Sequence, residues 1–445
     1  MVASYSRWHG RWNRNKKSGE SFLPVQFGGS GNDVVSTIKV ASTGDIIVSG
    51  YTFSQDFCGY NTSAYTNGST TICYFLLKLS SKFEITGAYF FSSTSGRPGA
   101  GWLLSSGYYD FIITFTEIGF DGIQEFIVYN AGDFTAGGTQ WNTYFIRISD
   151  MTKVYNYSSF TPFSIYYDSI VFAGQDENNL YMAAIGGGST FYNQLLIISK
   201  DVTHARTAIT TTTYKQQNIN CCYDGEYIWF FTNNYAQTTT IIRRRELTSP
   251  YGATDYDLVG IFKLSSDDPY TSPMNEFIAD CGSDLLIGGF AIGTNDLLII
   301  KRTKADLSAA PSGWSNYTLS VGSGKVIKEQ IGKYYDSESD RLLYLYATDD
   351  GSTGTSDVKL LTINASTGAL ISNNPIKYKN GTEVGQSTKA MLVNGMNIDK
   401  VSSGKYVICG NTTGNITGYS NLGGTDGFIM IICIVTGKQI GRAHV

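Results

Sequence analysis

Apolar and β-branched residues come along this chain in short runs separated by Gly, Asn, Asp, Ser and Thr. No window of about a dozen residues shows the 3.6-residue spacing of an amphipathic helix. The most repeated run is a strand we label C, entered from a polar turn, at 73–82, 143–153, 194–201, 240–247, 296–306, 357–368 and 426–437. Each is preceded by a B strand rich in β-branched and aromatic residues, at 44–52, 109–117, 179–187, 226–234, 284–293, 341–349 and 405–413. A shorter A strand ending in a turn stands before most B strands; the second copy is the poorest, with only GWLLSSG at 101–107. Successive C strands lie roughly 46 to 70 residues apart, the period of propeller blades with variable loop insertions.

The B strands are nearly continuous apolar runs, which predicts sheets covered on both faces. One four-stranded sheet cannot achieve that alone, but a ring of them can, each packing on its neighbours. The pattern therefore predicts an all-β chain folded as a β-propeller of seven four-stranded blades. A β-sandwich pair or a solenoid would show a shorter, more regular period. The last blade ends in its C strand, while 22–27 (FLPVQF) precedes blade one with no partner of its own. The expectation is that 22–27 supplies the missing outer strand and closes the ring, Pro24 being tolerable on an edge strand.

Composition agrees with many short strands and tight turns: of 445 residues, Gly accounts for 49, Tyr for 31 and Phe for 24, against Pro 8. A net charge of −4 lacks the concentrated Lys and Arg that phosphate binding needs, so nucleic acid is not an expected partner. No apolar run approaches the roughly 20 residues of a membrane span. Cysteines number 7, with no CxxC pair. Cys58 and Cys73 flank one inserted loop and are candidates for a disulfide. Residues 1–21, with Arg7, Arg11, Arg14, Lys16 and Lys17 interleaved with Trp8 and Trp12, read as a disordered basic tail, and 22–437 as a single propeller domain. Residues 438–445 read as a non-native tail, because IGRAHV at 440–445 is what a common sequencing-adapter sequence encodes.

The run Phe27-Gly28-Gly29-Ser30-Gly31-Asn32-Asp33, followed by GDIIVSGYT at 44–52 and SQDF at 54–57, resembles the SBBP-type bacterial β-propeller repeat. Blade seven, with 404–412 and Gly423-Gly424-Thr425-Asp426-Gly427-Phe428, is similar to a second copy; blades two to six depart freely from the glycine pattern. The resemblance implies the propeller fold, a secreted or bacterial-surface setting, and a binding or scaffold role without a shared catalytic residue set.

In a propeller the B–C and D–A connections emerge on one face of the ring, the A–B and C–D turns on the other. The lengthened connections here are the B–C ones, at 53–72, 118–142, 350–356 and 413–425, which makes that face the expected binding site. Its candidate ligand contacts are Tyr60, Tyr65, Phe120, Phe134, Trp141 and Tyr419, aromatic faces suited to sugar rings or a protein surface. Asp296, Asp357 and Asp426 enter C strands and Asp33 lies in a D–A corner, so they are candidates for a carboxylate ring at the channel mouth; the competing reading is that each caps its own turn. Asp349, Asp350 and Asp357 offer oxygens for calcium but miss EF-hand spacing, and no other cofactor or metal is indicated. The opposite face carries Lys82, Lys153, Lys200, Arg206, Lys301, Arg302 and Lys304, read as a solvated basic rim.

Catalysis has little to draw on. The three histidines are His9, His204 and His444, too few and too scattered for a Ser-His-Asp or Cys-His arrangement or a multi-histidine metal site. The expected function is non-enzymatic recognition of carbohydrate or protein by a secreted or surface propeller. The rivals are a phage virion or tail-associated attachment protein, of similar Tyr-, Asn-, Thr- and Gly-rich makeup, and a propeller glycosidase or lyase built on paired carboxylates.

Overall fold

The computed structural model of the chain describes residues 25–63, 73–92, 113–120, 125–135, 138–157, 167–186, 192–200, 206–211, 216–234, 239–248, 252–257, 261–262, 277–291, 294, 296–322, 326–327, 332–349, 356–376, 397–412, 421–435 and 438–440. They form seven antiparallel sheets that follow one another along the chain. The protein is a seven-bladed β-propeller. Blade one runs Asp33–Val40, Ile46–Thr52, Cys73–Leu79 and Ile85–Ser92, from its inner strand A to its outer strand D. Among the described residues the one helical element is a 3-10 turn at Phe57–Gly59.

The continuous apolar strands are explained by packing between blades. Neighbouring side chains on a strand point to opposite faces of the sheet. In blade one, Ile46 and Val48 therefore join a core shared with blade seven, while Ile47 joins one shared with blade two. Its C strand divides likewise, Phe75, Leu77 and Leu79 to one side and Tyr74 and Leu76 to the other. Blade six repeats the scheme: Leu343 and Leu345 pack toward blade seven, Leu342, Tyr344 and Tyr346 toward blade five. Full burial of each such side chain is worth about 1.5–3 kcal/mol, so the stability of each sheet resides in its two neighbours.

Blade seven comprises Asn397–Ser402, Lys405–Thr412 and Asp426–Val435, and its outer strand comes from the other end of the chain. Val25–Phe27 pairs antiparallel with Asp426–Val435, placing Val25 opposite Ile429 and Phe27 opposite Gly427. This is the expected closure. Lys438–Ile440 pairs with the same strand further along, opposite Val435 to Cys433. Blade two differs from the sequence reading. The run at 109–117 lies partly outside the described residues, and its described part opens the inner strand Ile113–Phe120; Glu125–Thr135 and Gly138–Arg147 are its B and C strands. What looked like a long B–C loop at 118–142 is largely a hairpin, because Gly and polar residues interrupt its apolar pattern without breaking the ladder.

The basic residues of the opposite face are also less exposed than expected. Lys82 and Lys153 are solvated, but Lys200, Lys301 and Arg302 are buried. Lysines tie one blade to the next: Lys78 Nζ donates to the carbonyls of Ile148 (3.0 Å) and Ser149 (3.2 Å), and Lys301 Nζ to that of Ala365 (3.0 Å). Lys304 Nζ bridges Asp224 (2.8 Å) and Asp280 (2.7 Å). Lys400 Nζ lies 2.7 Å from both Asp336 Oδ1 and Glu338 Oε2. Burial works against the charge of Asp336, but the hydrogen bonds from Lys400, Tyr406 and Ser339 prevail and hold its pKa down at about 2.

Two outcomes follow from this architecture. Deleting residues 1–27 should abolish the cooperative thermal transition, and Phe27→Ala should cost about 3–5 kcal/mol in urea denaturation, since the ring of Phe27 is buried in the closing core. Because the pKa of Asp336 is depressed, its contribution is complete above about pH 4 and lost as pH falls toward 2; Lys400→Met should be less stable at neutral pH and show a shallower acid-side fall in Tm.

Candidate functional site

The B–C and D–A side of the ring is most fully described where blade seven meets blade one. After Phe27 the chain turns through 28–32 into the inner strand of blade one, and this corner is held from three directions. From blade one, Asp56 Oδ1 accepts hydrogen bonds from Ser30 N and Ser30 Oγ, both 2.8 Å, and Ser54 Oγ accepts from Gly31 N at 2.8 Å. From blade seven, Asn32 Oδ1 accepts from Thr425 N (3.1 Å), Gly31 O from Gly424 N (3.2 Å) and Thr425 O from Asp33 N (2.6 Å). One step inward, Asn411 of blade seven takes Val35 N on its Oδ1 (2.6 Å) and gives Nδ2 to Val35 O (2.9 Å). That serves the backbone where a register shift between Val35 and Thr37 interrupts the ladder.

The glycines are there because nothing larger fits. A Cβ on Gly28 would stand under 3.0 Å from carboxylate oxygens of both Asp33 and Asp426, and one on Gly29 under 3.0 Å from Ser54 and Asp56. Below the corner Phe57 is fully buried, stacked on Phe75 at 4.4 Å between ring centroids and edge-on to Phe27 at 6.4 Å. The residues that carry the repeat resemblance thus bond chiefly to one another across the blade junction.

Two carboxylates are sealed into this junction. Asp33 accepts from Thr52 Oγ1, Ser54 Oγ and, at 2.5 Å, Gly29 N. Burial nonetheless outweighs these donors, the Asp426 charge adds to it, and the Asp33 carboxyl is pushed up to about 7. Asp426 Oδ2 accepts from Gln26 Nε2 (2.8 Å) and Leu422 N (3.0 Å); burial raises its pKa despite both. Asp56 goes the other way: burial opposes its charge, but the two bonds from Ser30 hold its carboxyl below the usual range. Burial also keeps the Cys58 thiol protonated, with the nearby carboxylates adding to the effect. Cys58 and Cys73 are both buried and neither is in a disulfide, so the candidate bridge is not formed.

The expected contact residues fall in several places. Asp33 and Asp426 come together, but both are buried, and Asp426 stands on the third strand from the axis, so neither contributes to a carboxylate ring at the channel mouth. Asp296 precedes the C strand Leu297–Thr303 of blade five, and Asp357 lies in the C strand Ser356–Asn364 of blade six; these too are third strands. Asp349 ends the B strand Arg341–Asp349 of blade six, opposite Ser356, while Asp350 is outside the described residues. Among the described residues no group of three or more His, Cys, Asp or Glu is set to hold a metal. Tyr60 is half-buried, its ring against Phe90 at 5.1 Å. Phe134 and Trp141 belong to the blade-two hairpin strands near their B–C end, and Phe120 ends the inner strand on the opposite face. Tyr65 and Tyr419 lie outside the described residues. Sequence reasoning missed Gln26, Ser54, Asp56 and Asn411 as the partners of this junction; the first three flank or belong to the repeat segment, but Asn411 gave no signal.

No family model and no curated protein matches the chain. Solved structures resemble it at low identity. Extracellular domains 1–2 of Drosophila Semaphorin 1a are 12% identical, covering 93% of this chain and 88% of that one, with a TM-score of 0.46. A subtype N10 neuraminidase-like protein from a little yellow-shouldered bat isolate of Guatemala is 9% identical over 80% of this chain and 99% of its own, with a TM-score of 0.43. Prolyl oligopeptidase B from Galerina marginata is 8% identical over 85% and 46%, with a TM-score of 0.43. These likenesses concern the fold alone.

Ser54→Ala removes the acceptor of Gly31 N and a donor to Asp33. It should lower stability by about 1–3 kcal/mol in urea denaturation, whereas Ser63→Ala, exposed and bonded only to Asn61, should change it by a few tenths.

Proposed function

We propose that this protein is a non-enzymatic recognition or scaffold propeller, of the SBBP-like bacterial secreted or surface kind, that binds a carbohydrate or protein ligand on its B–C face. The observation that carries the reading is where the long connections fall. Of the seven B–C connections the two longest, 53–72 in blade one and 413–425 in blade seven, belong to blades that are neighbours across the ring closure. The first begins and the second ends at the corner held by the bonds around 28–33, and long loops on a rigid base are the usual seat of recognition. Leu422, at the edge of this corner, is 49% exposed, one of two large apolar side chains so exposed among the described residues.

The absence of catalysis in this proposal rests on how the polar groups are used. At the blade-seven/blade-one corner, Asp33 and Asp426 are sealed and Asp56 is occupied by the backbone and hydroxyl of Ser30. Among the described residues no helix is long and apolar enough to cross a membrane.

The test is a glycan array and a panel of bacterial surface proteins probed with the whole chain and two variants. Leu422→Lys should lose binding. Leu370→Lys should keep it, because Leu370 is equally exposed (51%) but follows a C–D turn on the opposite face. Equal loss in both variants, or hydrolysis of a polysaccharide by the purified protein, would overturn the proposal.

A further inference from the structure

Asp426 Oδ1 is buried and has no hydrogen-bond partner among the described residues, although its side chain is wholly enclosed. The other oxygen of the same carboxyl is well served, by Gln26 Nε2 and Leu422 N. Asp33 presents the opposite picture, since its Oδ1 accepts from Thr52 Oγ1 and Ser54 Oγ, and its Oδ2 from Gly29 N and Ser54 Oγ. Asp426 Oδ1 and Asp33 Oδ2 both press on Gly28, each under 3.0 Å from where a Cβ would stand. Among the described residues, the other titratable groups facing the pair are the Asp56 carboxylate and the Cys58 thiol. Neither supplies positive charge. Two buried carboxylates so placed cannot both ionise cheaply, and such a pair ordinarily retains one proton.

We propose that Asp33 and Asp426 share a single proton, carried on Asp426 Oδ1 with Asp33 Oδ2 beside the same glycine as its acceptor, and that this proton latches the closing strand to blade one. The placement follows from counting donors. Every Asp33 oxygen already accepts hydrogen bonds, as an ionised carboxylate should, whereas Asp426 Oδ1 accepts none from the described residues and is satisfied if it bears a proton. A hard cation is a poorer occupant, because such ions take six or more oxygen ligands and the other three carboxylate oxygens already face N–H or O–H groups. The latch joins three segments at once: Gln26 on the closing strand, Leu422 and Asp426 of blade seven, and Asp33 of blade one.

The sign of the pH effect follows. A carboxyl whose pKa is raised on folding contributes stability that is complete below its unfolded value, near 4, and is lost as pH rises through its folded value; burial raises both carboxyls, Asp33 to about 7, and the shared proton titrates with the pair. The closure should therefore be firmest in acid and slacken as pH rises from about 4 through about 7.

Thermal unfolding of the whole chain between about pH 5 and pH 8 tests this. Wild-type Tm should fall across that range. In Asp426→Asn the fall should flatten, since the amide supplies a permanent N–H where the proton sat and its oxygen still serves Gln26 and Leu422. Asp33→Asn should instead be destabilised at every pH, its amide facing the donors of Gly29, Thr52 and Ser54. A flat wild-type profile, an unchanged slope in Asp426→Asn, or recovery of the alkaline Tm on adding calcium would each overturn the proposal. Infrared spectroscopy of the wild type decides the matter even if neither variant folds. The carbonyl stretch of a buried protonated carboxyl should be present at about pH 6 and gone at about pH 9, and its absence at the lower pH would refute the latch.

Discussion

A ring of sheets buries its cores only if it closes, and here closure depends on three residues laid along one strand edge. Val25, Gln26 and Phe27 pair with Ile429, Phe428 and Gly427. Their side chains do different work: Val25 and Phe27 enter the core between blades seven and one, and Gln26 reaches Asp426. Without that strand, Phe428 and Ile429 would sit at a bare sheet edge, and the core that blade one shares with blade seven would be open at the junction. Every other blade is continuous in the chain, so this junction alone is made by segments some four hundred residues apart.

The same junction uses up much of the polar chemistry of its face. Ser30, Asn32, Asp33, Ser54, Asp56, Asn411, Thr425 and Asp426 would look, as a set, like a ligand site, yet nearly every hydrogen bond described for them runs to another blade-junction group. Under the proposed recognition role, contact would fall to the two long connections at 53–72 and 413–425, with Leu422 exposed in the second of them. A rigid base and long loops are complementary requirements, since ordering a loop only on binding would cost conformational entropy.

On the far face the lysines show the same economy. A Lys ammonium has three donors and a flexible stem, so it can span the gap between two blades and still satisfy itself on carbonyls or carboxylates. Lys78, Lys301, Lys304 and Lys400 each do so. The apolar wedges fix how closely blades pack; these polar ties restrict how one blade slides against the next.

The seven-bladed ring and its closing strand were legible in the chain because burial on both faces leaves a local trace, near-continuous apolar strands such as Ile46–Thr52 and Arg341–Asp349 at a blade-length period. Tight corners left a trace too, since only glycine fits at Gly28 and Gly29. Local pattern failed where a strand was polar enough to pass for a loop, as in the blade-two hairpin containing Phe134 and Trp141. It also failed wherever the partner lay in another blade. An aspartate that caps its own turn and one sealed against a second carboxylate look alike in sequence. Only the tertiary structure brought Asp426 beside Asp33, set Asn411 against Val35 and buried Lys301, because ring closure and blade packing, not neighbours in the chain, decide what surrounds each charge.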